Sequence, residues 1–124
     1  MVFDRDGRLL LIRHGYGARE VWTMPGGGLR WRETPQAGAR REVREEVGCA
    51  LEELEALGVY ASVAEGWRDT VHLFRAISAD RPEVDRWEVV EARWFAPDAL
   101  PADTGAATLR RLAELNGAPR SSDW

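Results

Sequence analysis

Three glutamates are spaced so that they share one face of a helix. Glu42, Glu45 and Glu46 fall within an arc of about 100° when successive residues are placed about 100° apart. Like charges at this spacing cost roughly 0.2–0.5 kcal/mol per pair unless a cation lies among them. A cluster of oxygen ligands suits a hard divalent ion such as Mg²⁺ or Mn²⁺. The pattern indicates a metal site, and the alternative is a solvated charged face on which Arg41 pairs with Glu45.

An apolar stripe lies beside the acidic one and would hold the helix against a sheet. Val43 and Val47 belong to this stripe. Thr34 is a typical N-cap and Pro35 suits the first helical position, so we expect the helix to begin there. It should end near Val47, because Gly48 is of the residue type that commonly terminates helices. The helix thus has one face that packs and a neighbouring face that could bind.

Gly38 lies on the acidic face, one turn before Glu42. Glycine inside a helix costs about 1 kcal/mol relative to alanine. Helical side chains lean toward the N-terminus, so a metal held by Glu42 and Glu46 would lie over this position. One interpretation is that Gly38 leaves room for the ion, and the other is sequence drift.

The helix belongs to a longer pattern at residues 27–49, GGLRWRETPQAGARREVREEVGC. Gly27 is followed by five residues, Glu33, seven further residues and then REVREEVGC. This arrangement resembles the signature of the Nudix hydrolases. The resemblance implies an α/β fold, an α/β/α sandwich with a mixed β-sheet between helices. It also implies hydrolysis of a pyrophosphate bond in a nucleoside diphosphate linked to another moiety, as in a nucleotide sugar, ADP-ribose or a nucleoside triphosphate.

The resemblance also implies a set of metal ligands. Glu42 and Glu46 match the principal ligands of the family, Glu45 matches a further one, and the backbone carbonyl of Gly27 matches a common fourth. The expected cofactor is Mg²⁺, with Mn²⁺ as a possible substitute. Such ions neutralise phosphate charge and lower the pKa of bound water, which is what attack on a crowded polyanion requires.

Two further signature positions are expected to be structural, and one position departs from the family pattern. Glu33 and Arg41 match residues that brace the loop and the helix by ion pairing. Glycine usually precedes the signature glutamate, whereas this chain has Arg32. Arg32 would either bring a cation near the phosphates or add a surface charge.

The general base is left open by the sequence. Some family members use a glutamate of the signature and others use a residue from a later loop. We rank Glu45 slightly first. The candidates are Glu42, Glu45, Glu83, Asp85 and Glu88.

Substrate contacts are predicted from residue type alone. Arginines can hold phosphates, and each could equally be solvated. Aromatic rings can stack on a base, although aromatics beside a sheet are more often part of the core. The candidates are Arg13, Arg30 and Arg32 for phosphates, and Trp22, Trp31 and Tyr16 for stacking.

The remaining chain predicts a sheet that is covered on both sides. Residues 9–12 are continuously apolar, which is typical of a strand buried on both faces. Leucines spaced three apart at residues 51–57 suggest a helix, but the glycines on either side and the β-like sequence that follows favour a strand. Further strands are predicted at residues 59–63, 70–77 and 87–96.

The end of the chain predicts a second helix and a tail. Residues 104–116 form an amphipathic pattern with Leu109, Leu112 and Leu115 inward. Residues 118–124 are expected to be a loose tail.

Length and composition exclude several classes of protein. The chain has 124 residues, which fits a single domain over residues 1–124. No apolar run is long enough for a membrane span, and no charged leader with an apolar segment begins the chain. Cys49 is the only cysteine, which excludes an internal disulfide and a cysteine-based metal site. We therefore expect a cytoplasmic protein.

Charge bears on the alternatives. The net charge of −4 disfavours a grip on long nucleic acid, which depends on clustered basic residues. A small nucleotide-type substrate delivered with a metal remains compatible. One alternative is an RNA 5′-pyrophosphohydrolase, and another is a non-catalytic Nudix-like domain that binds a nucleotide or metabolite and regulates a partner. The resemblance also implies a possible homodimer.

Overall fold

A five-stranded mixed sheet is the centre of the fold. The computed structural model describes residues 1–15, 21–64 and 66–124. In these residues the sheet order is β3-β4-β1-β2-β5, with β1 parallel to β4 and the other pairs antiparallel. The strands are β1 (Val2–Phe3), β2 (Leu9–His14), β3 (Glu52–Ala64), β4 (Trp67–Ile77) and β5 (Val89–Phe95), and the helices are α1 (Pro35–Val47) and α2 (Ala106–Leu115).

Strand β2 separates two apolar cores. Leu9 and Leu11 contribute to a core that also contains Leu112 of α2. The intervening Leu10 and Ile12 contribute to the opposite core, which α1 covers with its valines. Successive residues of a strand point to opposite faces. Because both faces of β2 are covered, each of these four side chains is 0% exposed. The predicted α/β/α sandwich is confirmed.

Helix α1 has the predicted bounds because both ends are specified locally. The Thr34 hydroxyl accepts a hydrogen bond from the Ala37 backbone N–H at 3.2 Å. Gly48 adopts the left-handed conformation with φ 68°, and its N–H donates to the Arg44 carbonyl at 2.9 Å. These contacts satisfy backbone groups that a helix end otherwise leaves unpaired.

The segment before residue 59 is part of a strand, as predicted, and β3 is longer than expected. It pairs with β4 along a hairpin whose register shifts between Glu52 and Glu55 and again between Ala56 and Gly58. A bulge adds a residue and changes which face the following side chains occupy. The first shift explains why Leu51 and Leu54, three residues apart, both pack on the α1 side of the sheet, whereas Leu57 packs against the opposite core.

The predicted inward face of α2 was wrong at one position. Leu109 is 46% exposed, whereas Thr108, Arg111 and Leu112 are buried. Residues 108, 111, 112 and 115 follow helical spacing, so the buried stripe is regular but includes a threonine and an arginine. Arg111 is accommodated because its Nη2 lies 3.0 Å from Glu114 Oε1 and its guanidinium carbon lies 4.1 Å from the centre of the Tyr60 ring.

Residues 118–124 are not a loose tail, which corrects the prediction. The Trp124 N–H donates to the Ala61 carbonyl at 2.7 Å, and the Ala61 N–H donates to the Ser122 carbonyl at 2.9 Å. Arg120 Nη2 donates to the Leu57 carbonyl at 2.6 Å. The outer edge of β3 offers unpaired backbone groups, and this segment binds to them.

Arg32 adopts the backbone conformation that favours glycine. Its φ is 59°, in a turn closed by a hydrogen bond from the Glu33 N–H to the Arg30 carbonyl at 3.1 Å. A side chain in this region costs roughly 1–2 kcal/mol relative to the right-handed conformation. The departure from the family pattern is therefore a source of strain.

We expect Arg32→Gly to unfold at higher urea concentration than Arg32→Ala, because only glycine removes the Cβ clash. The gain should be about 0.5–1 kcal/mol, since glycine also adds freedom to the unfolded chain. Chemical denaturation of the two variants measures it. Equal stability of the two variants would show that the turn is not strained by the side chain.

Candidate active site

The glycine loop before the helix meets the acidic face of α1. The Gly26 N–H donates to Glu46 Oε1 at 2.8 Å, and Glu46 is only 7% exposed. A Cβ placed on Gly27 would lie 2.5–2.6 Å from the carboxylate atoms of Glu42. The loop therefore lies against two of the predicted metal ligands, and it can do so because Gly27 has no side chain.

Arg41 braces this arrangement. Its Nε and Nη2 donate to the two oxygens of Glu33 at 2.6 Å and 2.8 Å, and Nη2 also donates to the Gly28 carbonyl at 2.9 Å. Hydrogen bonds from Arg41, together with the Arg30 backbone N–H, lower the pKa of Glu33 to about 2. A bidentate arginine–carboxylate pair fixes both distance and orientation. The contacts agree with the structural roles that the resemblance implied for Glu33 and Arg41.

Two arginines also contact the acidic face directly. Arg41 Nη1 lies 2.9 Å from Glu42 Oε1 and 3.1 Å from Glu45 Oε2. Arg30 Nη2 lies 2.9 Å from Glu45 Oε1, and the Arg30 side chain is 67% exposed. In this state Arg30 pairs with a carboxylate, so contact with a phosphate would require that it leave Glu45.

Glu46 is electrostatically the most unfavourable group of the site. Burial raises its pKa to about 8, against the lowering effect of the Gly26 N–H, and the charges of Glu42, Glu88 and Glu45 raise it further. Burial and the neighbouring negative charges therefore disfavour the ionised form of Glu46. A cation at this position would remove the repulsion.

The donor set fits a divalent ion. Within the described ranges no three side chains of histidine, cysteine, aspartate or glutamate converge closely enough to hold a metal as they stand. The reason is that Glu42 and Glu45 are directed to arginine partners. The available atoms are nonetheless carboxylate and carbonyl oxygens, which are the ligands of hard cations. The residues that would hold the ion are Gly27, Glu42, Glu45 and Glu46.

The remaining general-base candidates lie in different environments. Glu88 is close enough for its charge to act on Glu46. The Glu83 N–H donates to the Val47 carbonyl at 2.8 Å, which places its backbone at the end of α1. Asp85 accepts a local hydrogen bond from the Trp87 N–H at 3.0 Å. Among the later residues, Glu88 is the one whose charge is seen at the acidic face.

Trp22 does not fit the predicted stacking role. Its side chain is 5% exposed and meets Phe95 edge to face, with ring centres 5.0 Å apart. The Arg13 guanidinium carbon lies 5.5 Å from the Trp22 ring centre, and Arg13 Nη1 lies 3.8 Å from Glu91 Oε1. Trp22 is therefore a core residue, and the base-stacking prediction for it was wrong. Tyr16 lies outside the described residues.

Gly38 allows the segment that carries Leu29 and Glu33 to pack against α1, and it does not leave space for a metal ion. A Cβ there would collide with Leu29 Cδ2 and would lie 3.3 Å from Glu33 Oε2. The space over this position is already filled by the loop, so the interpretation that it holds room for an ion was wrong. Gly38 lets the chain that carries Glu33 approach the helix.

A cavity of about 710 Å³ adjoins the site, and sequence reasoning missed it. One end is formed by the glycine loop and Glu42, and β4 forms a long wall. No single motif marks such a space, because residues far apart in the chain line it. Those that matter below are Met24, Gly27, Glu42, Thr70, Leu73 and Trp124.

Arg41→Ala should lower the melting temperature by about 5 °C or more, because Glu33 loses its partner and the acidic face loses a cation. Arg41→Lys should recover part of this loss, since an ammonium cannot form the bidentate pair. Arg44→Ala, at an exposed position of the same helix, is the control. Thermal unfolding by circular dichroism measures all three, and an equal effect at Arg44 would contradict the bracing role.

Comparison with known proteins bears on the whole chain. Residues 1–115 match the NUDIX domain family. A MutT-like protein from Streptomyces ambofaciens is 35% identical over 119 residues, covering 95% of this chain and 75% of that protein. An RNA pyrophosphohydrolase from Halorhodospira halophila is 27% identical, covering 100% of this chain and 81% of that protein.

A solved structure supports the same assignment. The crystal structure of the MutT NUDIX hydrolase from Burkholderia pseudomallei superposes with a TM-score of 0.80 at 30% identity, covering 92% of this chain and 95% of that one. Neither described helix is long and apolar enough to cross a membrane. The signature geometry, the sandwich and these matches together establish that the chain belongs to the NUDIX family of pyrophosphohydrolases.

Proposed function

We propose that this chain is a Mg²⁺-dependent hydrolase that cleaves a pyrophosphate bond in a nucleoside diphosphate linked to another moiety. The observation that carries the proposal is the buried Glu46, held by the Gly26 N–H and surrounded by the charges of other carboxylates. Arginines pair with Glu42 and Glu45, whereas burial disfavours the charged form of Glu46, which a bound cation would stabilise. The adjoining cavity of about 710 Å³ is large enough for a nucleotide-sized ligand.

The residues of the site divide the work between binding and positioning. A bound divalent cation would supply charge neutralisation for the phosphates and acidify an attacking water. Glu46 is fixed by its hydrogen bond from Gly26, and Glu42 is placed next to Gly27. The side chain of Arg30 is exposed, so its guanidinium can leave Glu45 and contact a phosphate oxygen.

Glu45 is the proposed general base. Its side chain is 47% exposed, so a water molecule can reach it, whereas Glu46 is buried. When Arg30 turns to a phosphate, Glu45 Oε1 loses its arginine partner, while Oε2 still lies 3.1 Å from Arg41 Nη1. Glu88 is the alternative, because its charge acts on the same cluster. A pH–rate profile of Glu45→Gln and Glu88→Gln would distinguish them, since removal of the base removes the acidic limb.

The test is a substrate panel of ADP-ribose, nucleotide sugars, dinucleoside polyphosphates and nucleoside triphosphates, assayed with Mg²⁺ and with Mn²⁺. Glu46→Gln is the control for hydrolysis by contaminating enzymes. Metal-dependent turnover by the wild type alone supports the proposal. No hydrolysis of any substrate would favour a binding domain that regulates a partner, although such a domain would be expected to lose acidic ligands that this chain retains.

A second candidate is hydrolysis of the 5′ pyrophosphate of RNA, which similarity to the Halorhodospira protein supports. The net charge of −4 opposes it, because affinity for long RNA depends on clustered basic residues. A steeply salt-dependent mobility shift with 5′-triphosphorylated RNA would favour this reading. We also propose a cytoplasmic location and a homodimer, and size-exclusion chromatography with light scattering tests the latter.

A further inference from the structure

The segment that ends in Trp124 lies outside the residues matched to the NUDIX family, yet it is firmly attached to the domain. The Ser121 N–H donates to Glu114 Oε1 at 2.8 Å, and Arg110 Nη1 donates to the Trp124 carbonyl at 3.0 Å. Together with the backbone bonds to Ala61 described above, these contacts fix both ends of the segment. The position of Trp124 is therefore determined by the fold.

The indole of Trp124 is also oriented. Its ring meets Tyr60 edge to face with ring centres 5.8 Å apart and an interplanar angle of 61°. The guanidinium carbon of the buried Arg111 lies 5.7 Å from the Trp124 ring centre. The side chain is nevertheless only half-buried, so part of its surface stays accessible. The Trp124 ring is thus packed on one side against Tyr60 and Arg111 and is partly exposed.

The exposed part of that ring borders the cavity that begins at Glu42. Gly27 and Glu42 line one part of the cavity, and Trp124 lines another together with Leu73 and Met24. If the pyrophosphate is held near Glu42, the group attached to it can extend along this cavity, which Glu42 and Trp124 both line. Beside these apolar side chains, the lining includes Asp69, Thr70 and His72 of β4, which can form hydrogen bonds. Aromatic and apolar surface next to hydrogen-bonding groups suits a nucleobase, which has planar faces and a polar edge.

We propose that Trp124 contacts the nucleobase of the substrate and so determines its affinity for nucleoside-containing compounds. This inference rests on the proposed function, because it places the pyrophosphate at the acidic face. It assigns a role to a residue beyond the family-matched region, where the sequence predicted a loose tail. Contact with an aromatic ring gives affinity without strong selection among bases, since every base has a planar face.

The test measures KM and kcat for Trp124→Ala, Trp124→Phe and the control Trp67→Ala. Trp67 is 80% exposed, at the start of β4, and does not line the cavity. For the best nucleoside triphosphate, Trp124→Ala should raise KM about tenfold with kcat within about twofold of wild type. Trp124→Phe should stay close to wild type, and so should Trp67→Ala. With inorganic tripolyphosphate, which has no base, none of the variants should change KM.

A rise in KM that is equal for tripolyphosphate and nucleotide would overturn the inference, because it would show general damage to the site. An unchanged KM in Trp124→Ala would also overturn it. If Trp124→Ala unfolds, Trp124→Phe and Trp124→Leu decide, since both fill the space and only phenylalanine supplies a ring. Phenylalanine and leucine giving the same KM for nucleotide would contradict the contact.

Binding separates this inference from the proposed function. Calorimetry with Mg²⁺ and the α,β-methylene analogues of ATP, GTP, CTP and UTP measures affinity without turnover. If the wild type hydrolyses nothing but binds an analogue about tenfold more tightly than Trp124→Ala does, the proposed function fails and the role of Trp124 stands. If the wild type hydrolyses a substrate but both proteins bind the analogue equally, the proposed function stands and the role of Trp124 fails. No binding by the wild type would overturn the inference.

Discussion

Replacement of Glu46 by glutamine should reduce Mg²⁺-dependent hydrolysis by about 10²–10³-fold or more, because a metal ligand contributes several kcal/mol to the transition state. The protein should still fold. The amide oxygen of glutamine can accept the same hydrogen bond from the Gly26 N–H that Glu46 Oε1 accepts at 2.8 Å. Steady-state kinetics across a Mg²⁺ titration measure the effect, and near-normal turnover would contradict the metal assignment.

The same substitution should change how stability depends on pH. Burial raises the pKa of Glu46 to about 8 in the folded, metal-free protein, whereas an unfolded glutamate has a pKa of roughly 4.3. The protonated form is therefore favoured by folding. Its contribution is complete below the unfolded pKa and is lost as pH rises toward 8, by at most about 1.4 kcal/mol per pH unit.

Urea denaturation in EDTA between pH 5 and pH 9 tests this linkage. Between pH 5 and about pH 8 the wild type should lose stability through the ionisation of Glu46. Glu46→Gln should lack this loss, because glutamine does not ionise. Glu55→Gln, on an exposed position of β3, is the matched control and should behave as the wild type. Parallel curves for wild type and Glu46→Gln would show that Glu46 is not strained by its surroundings.

Gly27→Ala should lower kcat/KM by about 10–100-fold while changing stability by less than about 1 kcal/mol. A Cβ at this position would lie 2.5–2.6 Å from the Glu42 carboxylate, which must move away. The carboxylate is the mobile end of a long side chain, so its displacement costs little folding free energy. It does, however, misplace a proposed metal ligand, and small displacements of such groups have large kinetic effects.

The neighbouring glycines supply matched controls. A Cβ on Gly26 or Gly28 would meet no atom within 4 Å, so alanine at either position leaves the site geometry unchanged. We expect Gly26→Ala and Gly28→Ala to stay within about threefold of wild-type kcat/KM. Kinetics and thermal unfolding of the three variants provide the comparison. Equal losses at all three positions would mean that loop flexibility, and not the approach to Glu42, is what matters.

Local signals made part of this fold predictable. The bounds of α1 followed from Thr34, Pro35 and Gly48, because caps act on adjacent backbone groups. The continuous apolar run at residues 9–12 predicted a strand buried on both faces, since each face needs its own apolar neighbours. The acidic face of α1 was also predictable, because helical spacing alone brings its glutamates together.

Features that depend on distant partners were not predictable. The ion pair of Arg111 with Glu114 is local, but its burial also depends on Tyr60, and nothing near residue 111 in the sequence indicates that ring. The sequence left Gly38 between room for an ion and sequence drift, because the position of Leu29, which fills that space, depends on the turn at Arg32. The pairing of Arg30 with Glu45 also depends on how the segment before α1 folds back on the helix, which the sequence does not indicate. In each case the deciding contact joins segments whose approach is set by tertiary structure.

The C-terminal segment also has a consequence for solubility. Strand β3 has 13 residues and lies at the end of the sheet order, with Val59 and Val63 exposed at 57% and 74%. A long apolar edge of this kind is a template on which another chain can add a strand and begin to aggregate. Residues 120–124 occupy the carbonyls of Leu57 and Ala61 and the N–H of Ala61 on that edge. The segment that places Trp124 therefore also shields the sheet from intermolecular strand pairing.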